Sequence, residues 1–247
     1  MVKKISVVIP TLQKNTTLLF KLLDNLSKDD GVGEIIVIDN STKGLDYNCE
    51  KLKLISPKEN MFVNPSWNLG VKEAKYKIVA LLNDDIIVPE RFCSSVAKKM
   101  NSNMGCIGCS RRFIREINDY DVVPEKKEIE LTEISFRNLH WGIAIFFYKT
   151  SYYDIPENLK IYCGDDWLIY KNNKAKRKNY CIQNQIIHHY GSLSSGSVEF
   201  NRVLHDEEKI YRKLTFSFIE NIFSYKRDFS GFRLNLLGLK FSKKFSE

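Results

Sequence analysis

From Ile5 to Leu82 the apolar residues switch repeatedly between short β-branched runs and a helical spacing, and few architectures accommodate that rhythm. Ile5-Ser-Val-Val-Ile9 is closed by Pro10, as suits a buried strand. Leu18, Leu19, Leu22, Leu23 and Leu26 then form the stripe of an amphipathic helix, which Gly31 and Gly33 interrupt. Glu34-Ile-Ile-Val-Ile38 reads as a second strand ending at Asp39-Asn40-Ser41, and Lys51-Leu-Lys-Leu-Ile55 as a third. A helix is expected over Ser66–Tyr76, with Ser66 as its N-cap. Lys77-Ile-Val-Ala-Leu-Leu82 is a fourth strand that delivers Asn83-Asp84-Asp85 at its C-terminal end. The alternation predicts an α/β fold: a largely parallel sheet with helices on both faces.

The second half changes character. A helix over about Glu90–Met100 is followed by mixed strands and loops to about Ser197, among them Ile143–Tyr148. Asn201–Tyr225 reads as one long helix, with Leu204, Tyr211, Leu214, Phe218, Ile219, Ile222 and Phe223 on one side. No repeat or Pro/Ser-rich linker divides the chain, and 43% hydrophobic content suffices for one substantial core. The expected organisation is a domain over 1–200, with halves 1–90 and 91–200, and a C-terminal helix and basic tail over 201–247.

Several classes drop out. No stretch approaches the roughly 18–20 uncharged apolar residues of a membrane span. The first ten residues make a poor signal peptide, so a cytoplasmic location is expected. Cys106-Ile-Gly-Cys109 has no second CxxC to complete a zinc site, and the six cysteines read as reduced and mostly buried. A net charge of +8 favours an anionic partner without saying which.

Ligands of open α/β sheets bind at the C-terminal ends of the strands. Pro10-Thr11, Asp39-Asn40-Ser41 and Asn83-Asp84-Asp85 all fall at such ends. Taken alone, Asp39 suits a turn or a cap equally well. Two adjacent acids repel one another unless a cation or hydrogen-bond donors offset them. Their hard oxygens suit Mg²⁺ or Mn²⁺, and a capped turn is the competing explanation.

Four segments in order resemble the family 2 glycosyltransferases of GT-A fold: Val7-Val8-Ile9-Pro10-Thr11; Glu34 to Ser41; Asn60 with Asn68-Leu69-Gly70; and Leu81 to Asp85. Gly164-Asp165-Asp166-Trp167 and His189-Tyr190-Gly191-Ser192 extend the likeness to about residue 195. The resemblance implies a Rossmann-like, mostly parallel sheet, a nucleotide-diphosphate sugar donor of UDP or dTDP type, and inversion at the anomeric carbon. It would place Pro10, Thr11 and Asp39 around base and ribose, with Asn68 beside the nucleotide. Asn83 and Asp84 would belong to the donor site, Asp85 would bind the metal with His189 as a further ligand, and Asp166 would be the general base. Asn83 stands where the family often has Asp, and Asp165 where it has Glu, so the base could be either aspartate. Trp141-Gly142 matches a donor-sugar wall, although a tryptophan there suits the core as well.

The chemistry is consistent with these roles. Sugar transfer creates a diphosphate leaving group, whose charge a divalent cation stabilises, while a carboxylate deprotonates the incoming hydroxyl. The expected acceptor is a glycan, lipid-linked in lipopolysaccharide or capsule assembly. A sugar-phosphate nucleotidyltransferase is the first rival, yet Thr11-Leu-Gln-Lys14 lacks a glycine to cradle phosphates. A nucleic-acid-binding protein is the second, without any recognition motif. The basic run Lys171–Lys178 is either a solvated face or a contact for acceptor phosphate or membrane. Residues 226–247 interleave six basic groups with Phe and Leu, which suits an anionic bilayer at the inner membrane face or a tail folded on the core.

Overall fold

The computed structural model describes residues 3–117, 121–137, 140–190, 198–216, 223–228 and 231–244. Its first half is β1 (Ile5–Thr11), α1 (Thr16–Lys28), β2 (Val32–Asp39), β3 (Leu52–Ile55), α2 (Val63–Glu73) and β4 (Ile78–Leu82). Next come β5 (Ile86–Ile87), α3 (Phe92–Lys99), β6 (Ile107–Gly108), β7 (Ile114–Glu116), β8 (Glu130–Ile134), β9 (Ala144–Tyr148), α4 (Gly164–Lys174), β10 (Asn179–Gln183) and β11 (Ile187–His189). The described chain ends with α5 (Val198–Leu214), β12 (Phe223–Asp228), β13 (Gly231–Leu236) and β14 (Leu239–Lys244).

An eight-stranded sheet runs in the order β3-β2-β1-β4-β9-β6-β10-β8. The first four strands are parallel, and β9 then runs antiparallel to β4. Side chains alternate across it. Ile78, Ala80 and Leu82 of β4 enter one core with the α1 leucines, whereas Val79 and Leu81 enter the other with Trp67 and Val71 of α2. Both faces are therefore buried, which is why these strands read as unbroken apolar runs. Gly70 brings α2 close to β1: a Cβ there would lie 2.2 Å from a Val8 methyl.

Two helix boundaries differ from expectation. α2 begins at Val63, not Ser66, and the Ser66 hydroxyl donates back to the Phe62 carbonyl at 2.5 Å inside the first turn. The C-terminal helix ends at Leu214, where Thr215 Oγ1 donates to the Tyr211 carbonyl at 2.8 Å. Tyr225, assigned to that helix from its spacing, lies in β12, and residues 217–222 fall outside the described set. Aromatic residues at 218 and 223 fit a helical period, but Phe223 and Tyr225 also alternate with Ser224 and Lys226, and pairing with β13 decides for strand. Residues 223–244 thus form a three-stranded antiparallel sheet.

None of the six cysteines, all of them among the described residues, forms a disulfide. Burial pushes the thiols of Cys106 and Cys109 well above their ordinary range, so the CxxC is inert packing.

Candidate active site

A cleft of about 1290 Å³ opens over the C-terminal ends of β1 and β4. Nine of the twelve residues singled out from sequence line it: Pro10, Thr11, Asn83, Asp84, Asp85, Gly142, Asp165, Asp166 and His189. Asp39, Asn68 and Trp141 do not.

The first group follows β4. Asn83 donates its backbone N–H to the Ile143 carbonyl at 3.0 Å, tying the acidic turn to the segment before β9. Thr11 at the end of β1 donates its hydroxyl to Asp84 Oδ2 at 2.5 Å. Burial pushes the Asp84 carboxyl up to about 6; the adjacent Asp85 charge adds to this and the Thr11 bond opposes it.

Asp85 meets His189 across a small sheet. β11 pairs with β5 so that His189 lies opposite Ile86, and the Tyr190 N–H donates to the Asp85 carbonyl at 2.9 Å. His189 Nε2 consequently stands 3.4 Å from Asp85 Oδ2. Asp85 Oδ1 and His189 Nδ1 are both buried with no hydrogen-bond partner. A buried carboxylate oxygen left unpaired is costly unless a cation meets it. Among the described residues no cluster of three or more His, Cys, Asp or Glu could hold a metal ion. Two protein ligands fit Mg²⁺ or Mn²⁺, which commonly complete their shells with water and substrate phosphate.

The second group opens α4. Cys163 precedes it with φ 58°, a left-handed turn that sends Asp165 and Asp166 into the cleft. Asp165 is fully engaged: Oδ1 accepts the Asp166 N–H at 3.0 Å, and Oδ2 meets Arg137 Nη1 at 3.3 Å. Arg137 Nε reaches Asp166 Oδ2 at 2.9 Å. The Asp166 side chain is 24% exposed against 13% for Asp165, so Asp166 is the more accessible of the two from the cleft. Burial raises its carboxyl to about 6, with the Asp165 charge adding and Arg137 opposing. Gly142 makes room for the pair, because a Cβ there would sit 2.6 Å from Asp165 Oδ2. Residues 142 and 143 thus touch both acidic groups.

The three absent residues have other work. Asp39 shapes the loop after β2: Oδ1 accepts from the Ser41 N–H (3.0 Å) and hydroxyl (2.5 Å), and Oδ2 from the Gly44 N–H (2.9 Å). Burial disfavours its charge, but hydrogen bonds from Ser41, Gln13 and Gly44 outweigh that and hold the carboxyl below its ordinary range. Its neighbour Asn40 lines the cleft instead, accepting the Met61 N–H at 3.0 Å. Asn68 Oδ1 accepts the Tyr152 hydroxyl (2.6 Å) and the Ile155 N–H (3.0 Å), which fastens α2 to the loop before α4. Trp141 is wholly buried and donates Nε1–H to the Tyr180 carbonyl at 2.9 Å, so it is core, and only Gly142 of that pair faces the cleft.

Several other lining residues are not among those singled out from sequence as site residues. Arg137 follows a short strand with nothing to mark it, and His140, Tyr211, Arg233 and Lys240 come from distant elements. Glu207 on α5 lies behind the cleft. Its carboxylate accepts the N–H groups of Lys160 (2.9 Å), Ile161 (3.1 Å) and Tyr162 (2.6 Å), the residues leading into Cys163. The basic run after Trp167 stays outside. Lys171 lies over the rings of Trp167 and Tyr153, Lys174 over Tyr170, and Lys178 pairs with Glu133 at 2.7 Å.

The sequence profile described as "Glycosyl transferase family 2" matches residues 6–172. The chain belongs to glycosyl transferase family 2. Its fold recurs in GalNAc-T7 solved with UDP, GalNAc and Mn²⁺, at TM-score 0.67 and 12% identity, over 89% of this chain and 49% of that one. A mannosyltransferase, PcManGT from Pyrobaculum calidifontis, solved with GDP-Man and Mn²⁺, matches at TM-score 0.55 and 14% identity, over 79% and 59%. S. aureus TarS 1-349 with UDP-GlcNAc matches at TM-score 0.58 and 17% identity, over 81% and 64%. These likenesses are of the GT-A fold, and the chain spans only 49% to 64% of those structures. No curated protein sequence matches the chain.

Proposed function

We propose that this family 2 chain transfers a sugar, with inversion, from a nucleotide-diphosphate donor to a hydroxyl of a glycan. The observation that carries the reading is the shared cleft: the Asp85–His189 pair and the Asp165–Asp166–Arg137 cluster are joined through residues 142 and 143. The solved neighbours named with UDP, GDP-Man and UDP-GlcNAc support a nucleotide-sugar donor.

Asp85 and His189 would hold Mn²⁺ or Mg²⁺. When bound, that cation supplies neutralising charge to the diphosphate. Base and ribose would rest near Pro10, Thr11, Asn40 and Asn60 at the strand ends. Asp166, ionised near neutral pH and more basic than a free aspartate, removes the acceptor hydroxyl proton. The oxygen forms its bond to the anomeric carbon while the bond to the diphosphate oxygen breaks on the opposite side, which inverts that carbon. Arg137 holds the Asp166 carboxylate in place throughout.

We further assign the reaction to the cytoplasm, where the reduced cysteines belong, with a UDP or dTDP donor and a lipid-linked surface polysaccharide as acceptor. Titrating the protein with a panel of UDP, dTDP and GDP sugars in Mn²⁺, then determining the product anomer by NMR, tests the reading. Donor binding that chelator abolishes and an inverted product are expected. Failure of every donor to bind, or a retained configuration, would overturn it.

A further inference from the structure

The C-terminal sheet sorts its side chains by face. Cross-strand register puts Phe223, Tyr225, Leu234, Leu236, Leu239 and Phe241 on one side. Ser224, Lys226, Arg233, Asn235, Lys240 and Ser242 fall on the other. Arg233 and Lys240 line the cleft, and Arg233 lies 4.2 Å over the Phe136 ring, so the polar side looks inward. The apolar side looks out. Five of its residues and Leu237 in the turn are 44% to 75% exposed, and they are six of the eleven large apolar side chains that the described chain exposes. A sheet normally covers its apolar face, and a contiguous uncovered one marks a contact surface.

We propose that this face docks on an anionic lipid bilayer. Charge decides among the occupants. The three strands carry six basic residues, Lys226, Arg227, Arg233, Lys240, Lys243 and Lys244, against one acid, Asp228. Arg227 and Lys243 flank Phe232 on the apolar side itself, where headgroup phosphates would meet them while the leucines and aromatic rings enter the acyl boundary. A second copy of the sheet would set like charges against one another, so self-pairing is opposed. Docking by this face would place the sheet between the bilayer and the cleft that Arg233 and Lys240 line from its other side. The geometry stands without the transfer chemistry, and vesicle binding reports on it alone.

The test is cosedimentation of the full chain with phosphatidylglycerol–phosphatidylcholine vesicles and with pure phosphatidylcholine. Wild type should bind the anionic vesicles, weakly bind the neutral ones, and release as salt rises. The Leu236→Ser/Leu239→Ser/Phe241→Ser variant should lose about tenfold or more of its partitioning, with thermal melting and nucleotide-sugar binding unchanged. Arg227→Glu/Lys243→Glu should lose binding only to the anionic vesicles. Wild type that ignores anionic vesicles, or a triple-serine variant that binds as well as wild type, would overturn the proposal. So would a wild-type dimer by light scattering that the same variant converts to monomer without vesicle binding ever being seen. Intact vesicle binding with no donor binding would count against the transferase reading only.

Discussion

At its Thr11–Asp84 end the cleft is floored by residues leaving adjacent parallel strands; at its Asp166 end it is assembled from a loop, the start of α4, α5 and the C-terminal sheet. The first end follows from strand order. β1 and β4 are neighbours in register from Ile5 with Ile78 to Val8 with Leu81, so Thr11 and Asp84 come together once the sheet has formed. The second end depends on contacts between residues far apart in the chain, such as Arg137 with Asp165 and Asp166, and Glu207 with residues 160–162. A site can therefore be rigid at one end through its scaffold and at the other through a few buried polar links.

The comparison breaks most sharply at Asp166, the proposed base. Asp166→Asn should lower kcat by ~10²–10⁴-fold in a transfer assay while donor affinity stays near wild type. An equal loss in Asp165→Asn with Asp166→Asn unaffected would exchange their roles. The same variant should be more stable than wild type at pH 7–8, by on the order of 1–3 kcal/mol. The sign follows from the raised carboxyl. Burial lifts the folded Asp166 carboxyl to about 6 against its ordinary 3.8, so between those pH values the folded state holds the extra proton. Wild type thus gains stability as pH falls through that window, and the advantage of Asn shrinks until it vanishes near pH 4. Thermal melts at pH 8 and pH 4 measure it.

Glu207→Ala should cost about 1–3 kcal/mol, because it removes the carboxylate to which three part-buried N–H groups donate. Its effect should be polar along the cleft: kcat falls and donor affinity holds. Equal losses in both would mean that the two ends do not separate. Arg137→Ala should move the acid limb of the kcat/KM profile above about pH 6, since the guanidinium now opposes protonation of Asp166. An unmoved limb would assign that limb to another group. The smallest effect belongs to Lys171→Ala on the outer face, expected to change stability by about 0.5 kcal/mol or less and to leave transfer rates untouched.

The sequence displays the first end of the cleft far better than the second, and the reason is periodicity. The α1 leucines, the strand runs and the acids at their ends all lie within one element or at its border, where spacing alone carries the signal. Asp39 shows the limit of that logic. Its place after β2 is as expected, but whether its side chain faces a ligand or its own loop depends on the turn through Gly44, and the loop has taken it. Asn68 and Trp141 likewise stay outside the cleft lining, each bonded to a partner more than thirty residues away, Tyr152 and Tyr180. Arg137 and Glu207 have no local pattern at all. The final strands were hidden by aromatic residues that fit two periods at once.

Glu207 also carries a consequence for synthesis. The residues it fastens leave the ribosome well before it does, since three N–H groups at 160–162 wait for a carboxylate on a helix ending at Leu214. A nascent chain can lay down β1 to β4 and join Thr11 to Asp84 as soon as those strands emerge. The turn into Asp165 and Asp166 stays unfastened until α5 follows it out. An interrupted translation product would thus hold a finished strand-end floor with the Asp165–Asp166 turn still unfastened, and binding at the floor would be a poor gauge of how much of the chain had been made.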